Sequence, residues 1–451
     1  MGIGIFNAVT DNMYATARRP DGSTRKIQTE PLTNYSALVF DQDLKNNSEV
    51  YLINTNVMRE GHYSDANVTN TGFTISNKKN TFSIGADGGI SHRTNKVDAA
   101  GVLRNETGYA YRLFANKQGK GGLNYGVSRL VLDNLYQTID MGYQTINQTA
   151  SNEFEISYNI YEPTGIIRNS YSEIDYNIST LYGTGRLVAN KISFSNFTTF
   201  MSYFTMFGGF SFTPGDYFDY FEPRVQGRFQ QALRNADGYI GFSTDYRKTL
   251  AVDQNISIGG NTELYKSISL SSATTFRLRI SDRANLKLRI YVDNDPKNVG
   301  FSDIDDSGQI IYGIRNLSTQ SVQLTGSYAF SKDMTLSLNA RQYRSYANHD
   351  GYAILLEDGS LQDTDGYANN NNFDYNIFNV DLVYSWLFAP GSTLSVVYKN
   401  IIENELDALS VFKPYGSNLE RVLNEPQTNS LSLKMVYYLD YQNLKRRTTK
   451  P

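Results

Sequence analysis

Apolar residues in the C-terminal part of the sequence recur at every second position. Between residues 376 and 388 they occupy the even positions, as Phe378, Val380, Leu382, Tyr384, Trp386 and Phe388. The same alternation returns in residues 392–399 and 430–441, and in a β-strand a period of two places alternate residues on opposite faces. The lengths of these runs are close to that of a strand tilted across a bilayer, about 9 to 11 residues. The pattern therefore predicts strands with one apolar and one polar face.

The polar faces of the predicted strands carry charged residues. Glu155, Glu173 and Asp175 stand at alternate positions between apolar neighbours. Charges at this spacing would destabilise the core of a soluble β-sandwich, whereas a wet lumen wall tolerates them. We therefore predict an all-β fold, namely an antiparallel transmembrane β-barrel of the outer membrane with roughly 20 strands.

Connections between the predicted strands alternate between short and long. Short turns stand at residues 282–285 and 331–333, and long polar loops at residues 293–309, 347–373 and 403–427. Outer-membrane barrels show this asymmetry, with short periplasmic turns and long extracellular loops. Side chains alone cannot fill a barrel of this size, so we expect a lumen that contains either water or a folded loop.

One strand pattern extends from residue 1 to residue 441 without a linker rich in Pro or Ser. We interpret residues 1–441 as a single barrel domain, followed by a basic periplasmic tail at residues 442–451. The first seven residues lack the basic and apolar regions of a secretory signal. Because an outer-membrane protein has to be exported, we expect further sequence before Met1, which could include strands of the barrel.

The composition excludes several classes of protein. The sequence contains no cysteine, which excludes disulfide scaffolds and thiolate metal sites. Its formal net charge of -3 gives no basis for binding nucleic acid. No apolar run approaches the roughly 18 to 20 residues of a transmembrane helix, so a helical membrane protein is excluded as well.

Six short phrases together carry a resemblance to a known family. They are IFNAVT at residues 5–10, EPLTNY at 30–35, VYLINTNV at 50–57, FEPR at 221–224, FAPGS at 388–392 and YYLDY at 437–441. In order and spacing they resemble the Gram-negative outer-membrane β-barrel domain of unknown function that usually follows a family-nine-type carbohydrate-binding domain. The resemblance covers most of the chain and implies an outer-membrane location, but it brings no established activity. Relatives carry a signal peptide, a β-sandwich domain and upstream barrel sequence before the matching part, and some are labelled hydrolases.

Catalytic motifs are scarce in this sequence. The histidines His62, His92 and His349 stand far apart, and neither an HExxH nor a G-x-S-x-G motif is present. A lone histidine in a loop is usually a solvated surface residue, and the sequence does not single out a glycosidase-like pair among its 45 acids. We interpret the protein as non-enzymatic. The alternative is an outer-membrane hydrolase that uses carboxylates of its loops or lumen.

One acidic segment resembles the first half of a calcium-binding loop. Asp303, Asp305 and Ser307 place oxygen atoms at alternate positions, and Gly308 follows for a sharp turn. Ile314 stands where a calcium loop has its bidentate Glu, which favours an acidic extracellular turn over a metal site. Calcium remains the one cofactor that the sequence suggests.

Four basic residues form a ladder on two predicted neighbouring strands. Arg277, Arg279, Lys287 and Arg289 would project into the lumen, where they could attract anionic solutes. The alternative is that these cations pair with acids of the same wall. The candidate acids are Glu155, Glu173, Asp175 and Asp381.

Aromatic residues cluster in the predicted loop at residues 214–228. Tyr217, Phe218, Tyr220 and Phe221 could stack on sugar rings, since flat aromatic side chains bind the apolar faces of sugars. A girdle at the membrane interface or packing within the loop is the alternative. The cluster is therefore a predicted carbohydrate-stacking site.

The predicted function is that of a non-enzymatic outer-membrane β-barrel, acting as a conduit or a surface platform and linked to carbohydrate binding or uptake. Its expected partners are the lipid bilayer of the outer membrane, the outer-membrane assembly machinery, and glycans or partner proteins. A soluble all-β binding protein is a further alternative, and it would remain monomeric in water without detergent.

Overall fold

The computed structural model describes nine stretches of the chain. They are residues 1–19, 21–61, 63–97, 103–119, 121–144, 148–232, 234–261, 265–407 and 414–438. His62 and the predicted tail at residues 442–451 lie outside them. Within these stretches the chain forms twenty-five β-strands and one α-helix, which confirms the predicted all-β class.

The strands follow one another along the whole described chain. The first twelve are β1 (Gly2–Thr10), β2 (Met13–Arg18), β3 (Thr24–Glu30), β4 (Thr33–Leu44), β5 (Ser48–Arg59), β6 (Asp65–Ser76), β7 (Phe82–Val97), β8 (Leu103–Gln118), β9 (Leu123–Leu132), β10 (Thr149–Ile160), β11 (Ile167–Leu181) and β12 (Leu187–Phe200). They are followed by β13 (Thr205–Phe212), β14 (Tyr217–Asp219), β15 (Gln230–Ala232), β16 (Asn235–Ser243), β17 (Leu250–Asn261), β18 (Ser267–Arg279), β19 (Ala284–Ile304), β20 (Ile310–Ser331), β21 (Met334–Leu355), β22 (Leu361–Thr364), β23 (Phe373–Ala389), β24 (Ser392–Asp407), the helix α1 (Tyr415–Leu423) and β25 (Gln427–Val436). The predicted short turns at residues 282–285 and 331–333 are confirmed to within two residues.

The chain forms two compact units. The first consists of Met1–Tyr161, Tyr171–Phe194 and Thr213–Phe218, and the second of Glu162–Ser170, Ser195–Phe212 and Asp219–Pro451. In the first unit, β4 to β10 pair in sequence order as antiparallel hairpins, and β1 pairs with β4. In the second unit, β16 to β21 pair in the same way and continue through β23, β24 and β25. Both units are therefore built from consecutive antiparallel strands.

The predicted loop at residues 293–309 is largely wrong and the one at residues 347–373 is wrong in part, because strands continue into both. Strands β19 and β20 pair along most of residues 293–309, and β21 enters residues 347–373. A β-bulge between Asp295 and Asn298 keeps β19 paired with β20 on both sides of Pro296. The first parts of these extensions, residues 293–298 and 348–351, carry no large apolar side chain, and for that reason their sequence indicated loops.

The third predicted loop, at residues 403–427, contains the helix α1. Asn418 and Val422, one helical turn apart, are both buried. Arg421 lies in the last turn, where a cation interacts favourably with the helix dipole. Among the described residues, no helix is long and apolar enough to span a membrane.

A buried network of charged and amide groups joins α1 to the sheet of the second unit. Arg344 on β21 donates two hydrogen bonds to Asp374 on β23, with Nε at 2.9 Å from Oδ1 and Nη2 at 2.8 Å from Oδ2. Asn376 also donates to Asp374, and its own side-chain oxygen accepts from Asn418 of the helix. Arg421 donates to Asn418 at 2.6 Å and lies 3.5 Å from Asp374. The docking of α1 therefore depends on one buried carboxylate between two guanidinium groups.

The two faces of the strands have opposite polarity. On β17 and β18 the even positions carry exposed apolar side chains, which are Ile256 (45% exposed), Ile258 (54%), Ile268 (66%) and Leu270 (51%). The odd positions carry small or polar residues, of which Ala251, Ser267 and Thr275 are buried. A water-soluble sheet normally buries its apolar face and exposes its polar face. The exposed apolar face of these strands therefore requires an apolar partner or an apolar environment.

Candidate functional site

A row of four residues crosses the polar face of the second unit. Arg277 on β18 stands directly opposite Lys287 on β19. The row continues with Ala251 on β17 next to Arg277, and with Thr325 on β20 next to Lys287. Side chains at such positions lie on one face about 5 Å apart. Two cations are thus adjacent between two small residues.

The small residues at the ends of this row leave room for a pocket. Its volume is about 440 Å³, and both Ala251 and Thr325 line it. Its charged lining residues are Lys248, Arg277, Arg279, Asp282 and Lys287. We call this cavity the basic pocket, because four of these five side chains are cationic. Ligand sites in proteins typically have volumes of roughly 300–1,000 Å³, a range that includes it.

Arg277 is held in place by two neighbours. Its Nε donates to Oδ2 of Asp253 at 2.7 Å, and its guanidinium lies 4.8 Å from the centre of the Tyr246 ring. The hydroxyl of Tyr246 donates to the other oxygen of Asp253 at 2.6 Å. Asp253 therefore balances the charge of Arg277 and fixes its position at the wall of the pocket.

The other three predicted ladder residues differ in their surroundings. Arg279 forms an ion pair at 2.6 Å with Asp282, whose side chain is 91% exposed on the turn between β18 and β19. Lys287 is half-buried, and within the described residues it has neither an ion-pair partner nor a hydrogen-bond partner. Arg289 is exposed on the same face of β19 and does not line the pocket.

The structure thus brings three of the four predicted ladder residues into one cavity. Asp253 pairs with Arg277 and Asp282 with Arg279, and both carboxylates differ from the four acids suggested by the sequence. Asp253 stands two residues from Ala251 on the polar face of β17, so strict alternation from the exposed Ile256 places it on the correct face. Alternation gives no information about which acid faces which cation, since that depends on the register between strands.

A segment of the first unit, residues 133–144, folds onto the polar face of its strands. Its anchors include Asn70 on β6 and Ser91 on β7. These residues stand on the face opposite to exposed apolar side chains such as Phe73 and Ile90. We call residues 133–144 the docked segment. The sequence predicts a lumen that contains either water or a folded loop. The docked segment lies on the polar face, which is the face that would line such a lumen.

The backbone of the docked segment approaches the strands closely. The hydroxyl of the buried Tyr136 donates to Asn70 at 2.9 Å, and the amide of Gln137 donates to Ser91 at 3.0 Å. Gly108 on β8 provides the necessary room, since a Cβ atom there would lie 2.0 Å from the backbone nitrogen of Tyr136. Hydrogen bonds and close steric fit therefore both hold the segment against the strands.

A charged triad fastens the tip of the docked segment. The carboxylate of Asp140 lies 2.8 Å from Nη2 of Arg59 and 3.2 Å from Nε of Arg93. All three side chains are largely buried, and Arg93 also donates to Gln137 at 2.6 Å. The triad therefore attaches the segment through ion pairs. Because ion pairs that are shielded from water are screened less by salt than exposed pairs, this attachment should persist at physiological salt.

The predicted calcium segment forms the tip of the hairpin between β19 and β20. Oδ1 of Asp305 accepts hydrogen bonds from the amide and hydroxyl of Ser307 and from the amide of Gln309, and these bonds hold the pKa of Asp305 below its usual value. Oδ2 of Asp303 accepts from the hydroxyl of Tyr367 at 2.6 Å. The same Asp-to-Ser bonding closes two other turns, at Asp21-Gly22-Ser23 and Asp358-Gly359-Ser360.

Turn formation accounts for the acidic residues of this segment. In the parts of the chain that the structure describes, no group of three Asp, Glu, His or Cys side chains is arranged to hold a metal ion. Ser307 and Asp305 contribute oxygen atoms to the turn rather than to a common centre with other acids. The calcium site at Asp303, Asp305 and Ser307 stays a prediction.

The four aromatic residues of the predicted sugar-stacking loop have different surroundings. The guanidinium of Arg186 lies 5.7 Å from the ring centre of Phe218, while Tyr217 is half-buried. Tyr220 packs on Phe229, with ring centres 5.4 Å apart. Phe221 is 73% exposed. Stacking on sugars stays a prediction, and Phe221 is the most accessible of the four rings.

The phrase FEPR at residues 221–224 docks onto the extension of β19. Glu222 accepts a hydrogen bond from the amide of Phe301 at 2.7 Å, and Pro223 is fully buried. The guanidinium of Arg224 lies 4.6 Å from the ring centre of Phe301. These contacts explain the phrase as a structural anchor of the loop.

The two described histidines bond to neutral side chains. Nδ1 of His92 lies 2.8 Å from Oγ1 of Thr107, and Nδ1 of His349 lies 3.1 Å from Oδ1 of Asn372. His349 also stacks on Tyr352. A catalytic base is usually oriented by an acidic partner, as in Ser-His-Asp triads, and neither contact provides one.

Comparison with protein families confirms that the chain is a domain of unknown function. A family model described as "Domain of unknown function (DUF5916)" matches residues 1–448. The chain belongs to this family. No protein with curated function matches the DUF5916 chain. The description of the family names no activity, and the outer-membrane and carbohydrate context stays a prediction.

Proposed function

We propose that this chain forms an outer-membrane β-barrel that conducts small solutes and is not an enzyme. The observation that supports it is the opposite polarity of the two strand faces. Exposed apolar side chains, such as Ile256 on β17 and Leu270 on β18, point away from the face that carries Arg277, Lys287 and Asp253. In a transmembrane barrel the apolar face contacts lipid and the polar face lines the lumen.

The connections support the orientation of the proposed barrel. Strands β18 and β19, β20 and β21, and β23 and β24 are joined by short turns, at residues 280–283, 332–333 and 390–391. Their other ends extend into long hairpins and loops, including the segment with α1. Outer-membrane barrels place short turns in the periplasm, so the basic pocket, near the turn at residues 280–283, belongs to the periplasmic end of the conduit.

The first prediction is that the protein behaves as a pore. Protein extracted with detergent should migrate faster on a gel before heating than after it, and should produce discrete conductance steps in planar lipid bilayers. The measurements are gel migration with and without boiling, and single-channel recording. A chain that stays soluble and monomeric without detergent would contradict the barrel. Heat-dependent migration without conductance would contradict the conduit and support a surface platform.

The second prediction compares the two faces of one strand. Ile256→Arg should lower the free energy of unfolding in lipid by about 2–4 kcal/mol, the usual effect of a cation at the middle of a lipid-facing strand. Ser257→Arg places the same charge one residue along β17 on the polar face, and should have a much smaller effect. Urea titration of both variants in lipid vesicles measures the difference. Equal destabilisation by the two substitutions would be inconsistent with a lipid-facing even face.

A further inference from the structure

The charges around Lys287 are not balanced. Lys287 stands directly opposite Arg277, and like charges at opposite positions of neighbouring strands destabilise a sheet. Asp253, at 2.7 Å, balances Arg277. Within the described residues no acid contacts Lys287, although its side chain is half-buried. The row therefore carries a positive charge that has no acidic partner in the described part of the chain.

The space next to this charge is suited to a ligand. The basic pocket of about 440 Å³ is lined by Ala251 beside Arg277 and by Thr325 beside Lys287, and both of these side chains are small. Lys248, from the turn before β17, reaches the same cavity. A solute in the pocket would therefore meet several positive charges at once.

We infer that the basic pocket binds a small polyanionic solute, one that carries a phosphate or several carboxylates, with Lys287 as its main anchor. Lys248 and Arg279 supply further contacts, while Arg277, held by Asp253, positions the wall. The inference deepens the proposed function, because it names the class of solute that the conduit would take. Ammonium groups bind phosphate as point charges, and guanidinium groups bind phosphate or carboxylate with two parallel hydrogen bonds.

Asp282 occupies one of the sites that the solute would use. Its carboxylate pairs with Arg279 at 2.6 Å while its side chain is 91% exposed. Exposed ion pairs contribute little to stability, so an incoming anion can replace Asp282 on Arg279 with little loss. Asp282 therefore acts as a weak internal competitor of the bound anion.

Titration calorimetry on the purified protein in neutral detergent tests the inference, with inorganic pyrophosphate, citrate and sucrose as probes. We expect pyrophosphate or citrate to bind and sucrose to give no signal, and the stronger anion identifies phosphate or carboxylate chemistry. Lys287→Gln should weaken binding about tenfold or more, the effect of losing one charge-assisted hydrogen bond. Asp282→Asn should strengthen it, because the competitor is removed.

Arg289→Gln is the matched control for Lys287→Gln. It removes one positive charge from the same face of β19, two residues along and outside the pocket. Binding should change by about threefold or less, since water weakens the interaction between the bound anion and an exposed charge about 7 Å along the strand. Equal weakening by both substitutions would mean that only the overall field attracts anions, and absence of binding to the unaltered protein would also overturn the site.

Failure of this inference is distinguishable from failure of the proposed function. Binding is measured in detergent and does not require conductance. Anion binding without conductance would leave the pocket in place and contradict the conduit. Conductance without anion binding would retain the conduit and overturn the pocket as a polyanion site.

Discussion

Asp374→Asn is expected to lower the free energy of unfolding by about 3–5 kcal/mol, the usual effect of removing one partner from a buried ion pair. The side chains of Arg344 and Asp374 are 3% and 0% exposed. Two hydrogen bonds join them, and Arg421 of α1 lies 3.5 Å from the same carboxylate. Without the negative charge, the guanidinium of Arg344 would remain buried next to a neutral amide.

Urea unfolding of the protein in lipid vesicles measures this effect. Glu420→Gln is the control, because it makes the corresponding change at an exposed position of the same helix. It should alter the free energy of unfolding by less than about 0.5 kcal/mol. A similar stability for Asp374→Asn and the unaltered protein would show that the network contributes little.

A double variant distinguishes a lost interaction from a buried unbalanced charge. Arg344→Met combined with Asp374→Leu replaces both charges of the buried pair by apolar side chains, and leaves Arg421, whose side chain is 18% exposed, as the remaining charge of the network. Such replacements of buried pairs are often neutral or stabilising, so the double variant should recover most of the loss seen with Asp374→Asn. If instead it is less stable than the single variant, the ion pair itself stabilises the docked helix, and the explanation by an unbalanced charge is wrong.

The sequence predicted strands and turns well where the two faces of a strand have different surroundings. On β18 and β19, Phe276 stands opposite Leu288 and Leu278 opposite Leu286, as the alternation indicated. When one face of a strand meets an apolar environment and the other a polar one, apolar residues recur at every second position, and this pattern is visible in the sequence. Fold class and hairpin positions follow from that period alone.

Prediction failed where another part of the chain covers a strand. Asp374 and Asn376 occupy the same face of β23 as Phe378, yet they are polar, because α1 packs on them with Asn418. The alternation therefore stops at residue 378, although the strand begins at Phe373. Nothing in the local sequence indicates that a helix about forty residues later supplies the partner.

The sequence indicated the cationic residues of the candidate site but not the pocket that they line. Period two places Arg277 and Lys287 on one face, and the short turn at residues 280–283 brings them opposite each other. The pocket depends also on Ala251 and Thr325, which the register of two further strands aligns with this row. Small residues carry no signal in the sequence until that register is known.

Gly108→Ala is expected to release the docked segment from the polar face of the first unit. The new Cβ atom would lie 2.0 Å from the nitrogen of Tyr136 and 2.2 Å from the carbonyl carbon of Leu135. Both contacts are with backbone, which cannot move aside as a flexible side chain could. Overpacking of this kind costs about 1–3 kcal/mol, which is sufficient to shift a local docking equilibrium.

Gly88→Ala is the matched control on the neighbouring strand β7. A Cβ atom at Gly88 meets nothing within 4 Å, so the same substitution should leave the segment docked. Limited proteolysis should cut residues 133–144 faster in Gly108→Ala than in Gly88→Ala. A second variant, Asp140→Asn, weakens the attachment through Arg59 and Arg93 without changing backbone packing, and should act in the same direction.

Release of the docked segment has a consequence for conduction in the proposed barrel. The segment covers Asn70 and Ser91 on the face that would line the lumen, so its release should increase single-channel conductance. Both Gly108→Ala and Asp140→Asn should show the increase, and in Asp140→Asn it should not depend on salt concentration, since the neutral amide leaves no ion pair with Arg59 and Arg93 for salt to screen. If proteolysis shows release while conductance stays unchanged, the segment lies outside the conducting path, and its Arg59–Asp140–Arg93 triad stabilises the fold without restricting flow.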